Sequence, residues 1–409
     1  MCYNQHVSYR KGELPHIGLN AHLLSLTETY RSAGINSYIS QLLRRLPAAC
    51  RAEIETDSWL TAYLHEPGFT PPDGLEVERS RWDTRQPWRR IAWEQTRLAA
   101  ISRRLDLLHG MAFATPLAAG CPTVVSVHDL SFMRHPAAFR RFNRIYLSLI
   151  TRLSARRAAA VIVASQITRQ DVMRLCGVPG ERVVVAPDGV DETFCPADPA
   201  ATAEFRRRKG LPDRFILYLG TLEPRKNLVR LIDAYARWRA AGPGAPGGPA
   251  RLLIAGAKGW FYQRIFSRVQ ELNLADDVLF PGFVPAEELP WWYRAAAAFV
   301  YPSLFEGFGL PVLEAMACAA PVITTTAPAL QEVAAASPSE PPAALLVDPE
   351  DTAALSAAIA AVLSDENLAN QLRAAGLRRA ARFSWTRTAV ETARVYRDVL
   401  QAVRMGGAL

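Results

Sequence analysis

Short apolar runs alternate along the chain with stretches of helical periodicity, and Gly, Pro and Asp residues punctuate the joins. Ile17–Leu24 predicts an opening strand, and the segment from Gly34 to Tyr38 opens a helix running to about Leu46. Thr123–Val127, Val161–Ala164 and Arg182–Ala186 read as further buried strands, and Ala186–Asp191 as a tight turn. The polar, proline-containing residues 192–213 read as a linker, after which Phe215–Gly220 begins a second series of strand–helix units. Ala241–Ala250, nearly all Gly, Pro and Ala, predicts a flexible surface loop rather than a boundary. The tail from Trp385 to about Val403 is helical in period. This alternation predicts α/β units with parallel sheets, and 409 residues suffice for two cores. The expected domains are 1–192 and 193–385, with no repeat of fixed period.

The most informative stretch is Glu306–Glu314. The apolar run 298–303 before it reads as a buried strand ending in a turn, and Pro311 suits the first turn of a helix, where its missing N–H does no harm. Gly307 and Gly309 between them let the backbone approach a ligand closely and turn its amides inward. Free N–H groups and the positive end of the helix dipole make such a junction an anion cradle. Glu306 precedes the cradle and Glu314 lies about one turn inside the helix. A carboxylate accepts from two adjacent hydroxyls, as a ribose diol presents them. Phosphates in the middle and sugars at both ends describe a sugar nucleotide.

Residues 302–317, with Glu306 and Glu314 spaced eight apart, closely resemble the Glu-x7-Glu signature of retaining glycosyltransferases of family 4. Six more landmarks keep the family's order. Gly220–Asn227 resembles its phosphate-binding turn, and Leu252–Gly256 its next strand. Phe280–Leu289, with Phe283, resembles the loop around the base. Ala344–Pro349 and Phe383–Trp385 resemble its C-terminal landmarks, and Ala186–Asp191 the end of its first domain. The resemblance implies the GT-B architecture, two Rossmann-like domains facing across a cleft with ligand at the strands' carboxyl ends. It also implies that the last helix, about 386–409, crosses back to the first domain.

Departure of a diphosphate gathers negative charge, which fixed cations and oriented amides can stabilise. Arg225 and Lys226 are the candidate cations. Lys226 matches the family's lysine, whereas Thr221 stands where the family usually has arginine, so Arg225 is read either as the replacement cation or as a solvated turn residue. Glu223 either orients these cations or merely solvates the turn. The resemblance assigns Glu306 to the transferred sugar, Glu314 to the ribose, and the amides of Phe308, Gly309 and Leu310 to phosphate or sugar. Gly220, Thr221 and Gly256 are implied on the donor side, and Thr324–Thr326 are weaker candidates for the same task. In the first domain, His128, followed by Asp129, ends the strand Thr123–Val127 and is implied near the anomeric centre. Gly34 reads as a loop near the diphosphate or as a plain helix start, and His109 as part of an acceptor-facing loop. His22, His65 and His135 receive no role. Retention is implied by the resemblance, with no clear carboxylate nucleophile in view. No Asp-x-Asp ends a strand, so no metal is expected. Ala319 stands where the family usually has glycine.

Half the residues are hydrophobic and about a fifth charged, as in a soluble globular protein. No signal peptide or membrane-spanning run is apparent, and six scattered cysteines suit free thiols in a reducing cytoplasm. The net charge is +8, and residues 134–182 hold ten arginines against two acids. Between 136 and 157, Phe139, Phe142, Tyr146, Leu149 and Leu153 form one helical stripe and Arg144, Arg152 and Arg156 another. This stripe either rests on an anionic membrane surface or faces its own core. No nucleic-acid module is present. The donor expected from the resemblance is GDP-mannose, ahead of a UDP-hexose, and the acceptor a glycan or lipid-linked sugar. No cofactor is expected. An epimerase or hydrolase on the same fold would need a further acid–base pair, and a scaffold protein would lack the acids and lysine. A nicotinamide enzyme would show Gly-x-Gly-x-x-Gly after the first strand, which is absent.

Overall fold

A computed structural model describes residues 14–26, 33–54, 58–134, 141–240, 249–334 and 342–406. The chain forms two compact units, divided at Pro187–Asp188 and again at Ser384–Trp385. The first holds β1 (His16–Asn20), β2 (Trp59–Leu64), β3 (Leu75–Arg79), β4 (Leu107–Gly110), β5 (Thr123–Val127), β6 (Ala160–Val163) and β7 (Val183–Val185). Its sheet order is β3-β2-β1-β4-β5-β6-β7, with every pairing parallel. The second holds β8 (Phe215–Leu219), β9 (Arg251–Ala255), β10 (Val278–Gly282), β11 (Ala298–Tyr301), β12 (Val322–Thr325) and β13 (Leu345–Val347). Its order, β10-β9-β8-β11-β12-β13, reverses direction at β8 just as the first sheet does at β1. Each is a Rossmann-like sheet, and a switch point of this kind leaves a crevice at the carboxyl ends of the strands.

The central strands are mostly apolar and almost wholly buried, as sheets covered on both faces require. The opening strand stops at Asn20 rather than Leu24, because Ala21–Leu24 closes a turn through a 2.9 Å amide-to-carbonyl bond. The first helix runs through Pro47 to Glu53 instead of ending at Leu46. Leu42, Leu43, Leu46 and Cys50, all fully buried, outweigh the one hydrogen bond that proline removes. The expected linker 192–213 contains a helix, Pro199–Arg208, capped by Asp198. Most of the glycine-rich segment Ala241–Ala250, like His135 and Phe139, lies outside the described residues.

The last helix, Trp385–Arg404, packs on the Ala33–Glu53 helix of the first unit, as the family fold implies. Its apolar face (Trp385, Ala389, Ala393, Tyr396, Leu400) is buried, and Glu53 pairs with Arg394 and Arg397 at 3.2 Å each. His109 is part of this anchoring and not of an acceptor loop. It is fully buried within β4, with Nδ1 2.6 Å from Tyr396 Oη and Nε2 2.8 Å from Ser126 Oγ, which bonds Tyr38 Oη at 2.6 Å. Burial, and then the neighbouring His128, lower its pKa to about 3, so it stays neutral.

Candidate functional site

Strands β8 and β11 are neighbours in the second sheet, so the turn 220–227 and the loop 302–309 that leave them emerge side by side. The two segments are knitted together. Leu304 N donates to the Arg225 carbonyl at 3.0 Å, Asn227 Nδ2 to the Pro302 carbonyl at 3.2 Å, and Arg225 Nη1 to the Phe305 carbonyl at 2.8 Å. Asn227 sits at φ +58, a conformation asparagine tolerates better than most residues, and begins the Leu228–Arg239 helix.

Four charged side chains meet at this seam. Lys226 Nζ donates to Glu306 Oε1 and to Tyr301 Oη, both at 2.6 Å. Ser303 Oγ donates to the same carboxylate oxygen at 2.6 Å and Tyr301 Oη at 3.1 Å. Arg225 bonds Glu306 Oε2 through Nη1 at 2.7 Å, and Glu223 Oε1 through Nε and Nη2 at 3.1 and 2.9 Å. Two cations face two carboxylates, so the cluster is neutral. Glu306 is therefore not held open toward a sugar, since Oε1 already takes three donors. Burial alone would raise its pKa, but Arg225, Lys226 and the bonds from Lys226 and Ser303 overcome that and bring it to about 2. Burial and Arg225 lower the pKa of Lys226, while Glu306 holds it up.

Glu314, the other acid of the signature, meets the opposite environment. It sits on the Leu310–Ala317 helix, and among the described residues its carboxylate has one bond, from Tyr293 Oη at 2.8 Å. Burial raises its pKa to about 7, the Tyr293 bond opposes that, and Asp191 adds to it. Two carboxylates of one motif are thus driven apart in acidity, a separation that commonly marks groups with different tasks.

The backbone between them is built for close approach. Gly309 caps the helix at φ +120, and a Cβ there would lie 2.6 Å from Leu330 Cδ2. The first helical amides have no partner within the helix, which leaves Leu310 among the orphan donors. Phe308 buries its ring against Phe383, so only its main chain is available to a ligand. On the adjoining loop, a Cβ on Gly256 (φ +136) would fall 2.0 Å from the Gly220 carbonyl oxygen. Only glycine lets the turns after β8 and β9 close together. Thr221 is half-buried beside Gly220, and Phe283 is exposed on the loop after β10.

Thr324–Thr326 serve elsewhere. Thr324 and Thr325 donate their hydroxyls to the carbonyls of Tyr301 and Ser303, at 2.8 and 2.7 Å, and the Thr326 amide is bonded to the Val347 carbonyl. They brace the Glu306 loop from behind. Ala319 holds φ +57 at the end of the Leu310–Ala317 helix, where the Ala320 amide reaches back to the Ala315 carbonyl at 3.0 Å. Its departure from glycine therefore bears on how this helix ends. Replacing Ala319 with glycine relieves about 1 kcal/mol of left-handed strain. The expected result is a melting temperature higher by about 2–4 °C in the second unit, read by calorimetry.

In the first unit, His128 Nε2 donates to the Met111 carbonyl at 3.0 Å, which fixes the ring and leaves Nδ1 as its acceptor. Burial lowers its pKa to about 4, so it is neutral near pH 7. Asp129 accepts from the Ser131 amide and hydroxyl at 2.8 and 2.6 Å and so caps a short helix. Gly34 is exposed at the start of the Ala33–Glu53 helix.

Residues 32–194 match the Glycosyltransferase Family 4 domain, and residues 201–379 the domain of Glycosyl transferases group 1. The O-antigen chain mannosyltransferase B of Escherichia coli is 32% identical over 279 residues, which is 67% of this chain and 70% of that one. The serotype-specific mannosyltransferase WbdA of the same organism is 30% identical over 280 residues, 65% of this chain, which spans only about a third (32%) of WbdA. In three dimensions the chain resembles sucrose-phosphate synthase from Thermosynechococcus elongatus, with a TM-score of 0.76 at 24% identity over 95% of this chain and 100% of that one. With the Glu306 and Glu314 motif at the switch point of the second sheet, these similarities place the chain in glycosyltransferase family 4, on its mannosyltransferase-like branch, and make it a glycosyltransferase.

Proposed function

We propose that the chain transfers mannose, with retention of configuration, from GDP-mannose to a glycan or lipid-linked acceptor in surface polysaccharide synthesis. The observation that carries this reading is the neutral cluster of Lys226, Arg225, Glu223 and Glu306 beside the Gly309 helix start. A diphosphate arriving at the helix amides competes with Glu306 for Lys226. Once Lys226 turns to the phosphates, Glu306 Oε1 loses its strongest donor and becomes free to accept a hydroxyl of the donor sugar. Arg225 stays clamped between Glu223 and Glu306 and keeps the acid in place. The protein's own cation then answers the charge that builds on the leaving diphosphate, without calling on a divalent metal. Mannose is preferred over other hexoses because the two E. coli relatives above carry mannosyltransferase names. Assay of GDP-mannose, UDP-glucose and UDP-galactose with radiolabelled sugar, with and without EDTA, tests the reading. EDTA-insensitive transfer from GDP-mannose is expected, and transfer from a UDP-sugar alone would replace it.

Glu314 is assigned to the ribose diol, which prefers an ionised acceptor. Its pKa of about 7 means that the acid is partly protonated at neutral pH before the donor binds. Donor binding then expels a proton, so affinity rises with pH through 7 and falls, toward tenfold per unit, below it. Calorimetry between pH 5.5 and 8.5 should show this slope, and Glu314→Gln should bind more weakly with a flat profile.

The acceptor side is assigned to the first unit, working at the cytoplasmic membrane face. Among the described residues no helix is long and apolar enough to cross a membrane. On the Arg141–Arg157 helix the inward face is Ile150, Thr151 and Ser154, while Ile145 and Leu149 are 60% and 58% exposed. Leu149 therefore leaves the core-facing role open to another surface. Arg152 and Arg156 flank that exposed face, although each also donates from Nε to the carbonyl of Leu175 or Cys176. Peripheral binding to anionic lipid follows, at on the order of 1 kcal/mol per cation. Co-sedimentation with phosphatidylglycerol vesicles should exceed that with phosphatidylcholine and weaken in salt; Leu149→Glu should abolish it.

A further inference from the structure

The first unit holds a second polar cluster, at the carboxyl end of β1. Asn20 Nδ2 donates to Glu94 Oε1 at 3.1 Å, and both residues are buried. Glu94 opens a π-helical turn, Glu94–Leu98, directly after the Pro87–Trp93 helix. Single turns of this kind are uncommon and frequent at functional sites. His22, 5% exposed, lies against Trp93 with ring centroids 4.0 Å apart and planes tilted by 56°, and pairs Nδ1 with Thr84 Oγ1 at 2.8 Å. Its Nε2 has no hydrogen-bond partner among the described residues. Whichever tautomer is present, one strong polar atom is buried without a partner, at a cost comparable to a lost hydrogen bond. Arg90 lies one helical turn before Glu94 and acts on both Glu94 and His22. A core selected for stability alone would hold an apolar residue at His22 and at Glu94.

This cluster is wired to His128. The Met111 amide donates to the Asn20 carbonyl at 3.4 Å, and the Met111 carbonyl accepts from His128 Nε2. Strands β1 and β5 are two ladder spacings apart, about 10 Å, with β4 between them. That gap is of the order of a sugar ring, and both groups lie at the same edge of the sheet.

We infer that Asn20, His22 and Glu94 form the subsite that grips the hydroxyls of the acceptor's terminal sugar. Glu94 takes two neighbouring hydroxyls, Asn20 keeps the carboxyl in register, and the unpaired His22 nitrogen gains its missing partner from the sugar. The inference rests on the glycosyltransferase reading above. Its ligand class is a neutral pyranoside with adjacent hydroxyls, of which an α-linked mannobiose is the simplest probe.

The decisive experiment uses the full chain with histidine rings selectively labelled for NMR, titrated with α-linked mannobiose, beside acceptor kinetics of Glu94→Gln and His22→Gln. The expected results are a shift of the one histidine resonance that His22→Gln removes, and an acceptor KM at least tenfold higher in both variants. The donor Kd for GDP-mannose should remain within twofold of wild type, as a folded second unit requires. An unmoved His22 resonance, read on the wild type and so independent of how the variants fold, overturns the inference. So does an unchanged acceptor KM in folded variants. In both cases wild-type transfer from GDP-mannose continues, whereas loss of that transfer itself would sink the parent reading.

Discussion

Replacing Lys226 with alanine is expected to lower kcat by about 10²–10³-fold and to weaken donor binding. The lysine is the one cation of the seam whose bonds, to Glu306 and Tyr301, leave it able to exchange partners when a diphosphate arrives. Arg225 is fixed by two carboxylates and a carbonyl and does not substitute for it. Stability should fall less than activity, because Glu306 keeps Arg225, Ser303 and Tyr301. A guanidinium in place of the amine does not fit a site in which Nζ lies 2.6 Å from both partners, so Lys226→Arg should fail as well. Stopped assays with GDP-mannose and a synthetic acceptor separate the kcat and donor terms.

Glu306→Gln should behave differently. Removing the carboxylate charge leaves Lys226 and Arg225 opposite Glu223 alone, so the cluster changes from neutral to a net +1. A buried cation deprived of its partner destabilises the fold, on the order of 3 kcal/mol. The same excess charge welcomes a diphosphate, so GDP should bind the variant as tightly as wild type or more tightly. Its stabilising effect on melting should be correspondingly larger. Turnover should nevertheless drop by roughly 10²-fold, since the amide cannot offer a sugar hydroxyl the charged acceptor that the proposed function assigns to ionised Glu306. Weak donor binding with normal turnover would remove the exchange of partners from the mechanism. Calorimetric GDP titration and thermal melting of the variant check both halves.

Much of this could be read before any coordinates. Alternating apolar runs and helical stretches give two parallel sheets, because period and length separate buried strands from helices. Gly307, Gly309 and Pro311 mark the strand-to-helix junction, since each residue type answers a backbone demand visible in sequence. What the sequence could not show was partnership. Glu306 and Glu314 look alike in the motif, yet one is ringed by Lys226, Arg225, Ser303 and Tyr301, while among the described residues the other's carboxylate bonds only Tyr293. Tyr301 and Ser303 lay within a strand and turn already noted, but nothing in their spacing says that they bond an acid a few residues on. Tyr293 comes from a different helix altogether. His109 misled because a histidine before a glycine suits a loop, whereas its partner Tyr396 lies 287 positions away. His22 and Glu94 escaped for the same reason: their meeting requires the fold.

The central claim is that Lys226 and the amides at the Gly309 helix start hold the diphosphate of a nucleotide sugar. A crystal structure of the protein with GDP-mannose tests it most directly. The account predicts a phosphate oxygen within hydrogen-bonding reach, about 3 Å, of Lys226 Nζ and of the Leu310 amide, with Glu306 turned to a sugar hydroxyl. A nucleotide bound elsewhere, with the Lys226–Glu306 pair unbroken, would contradict it.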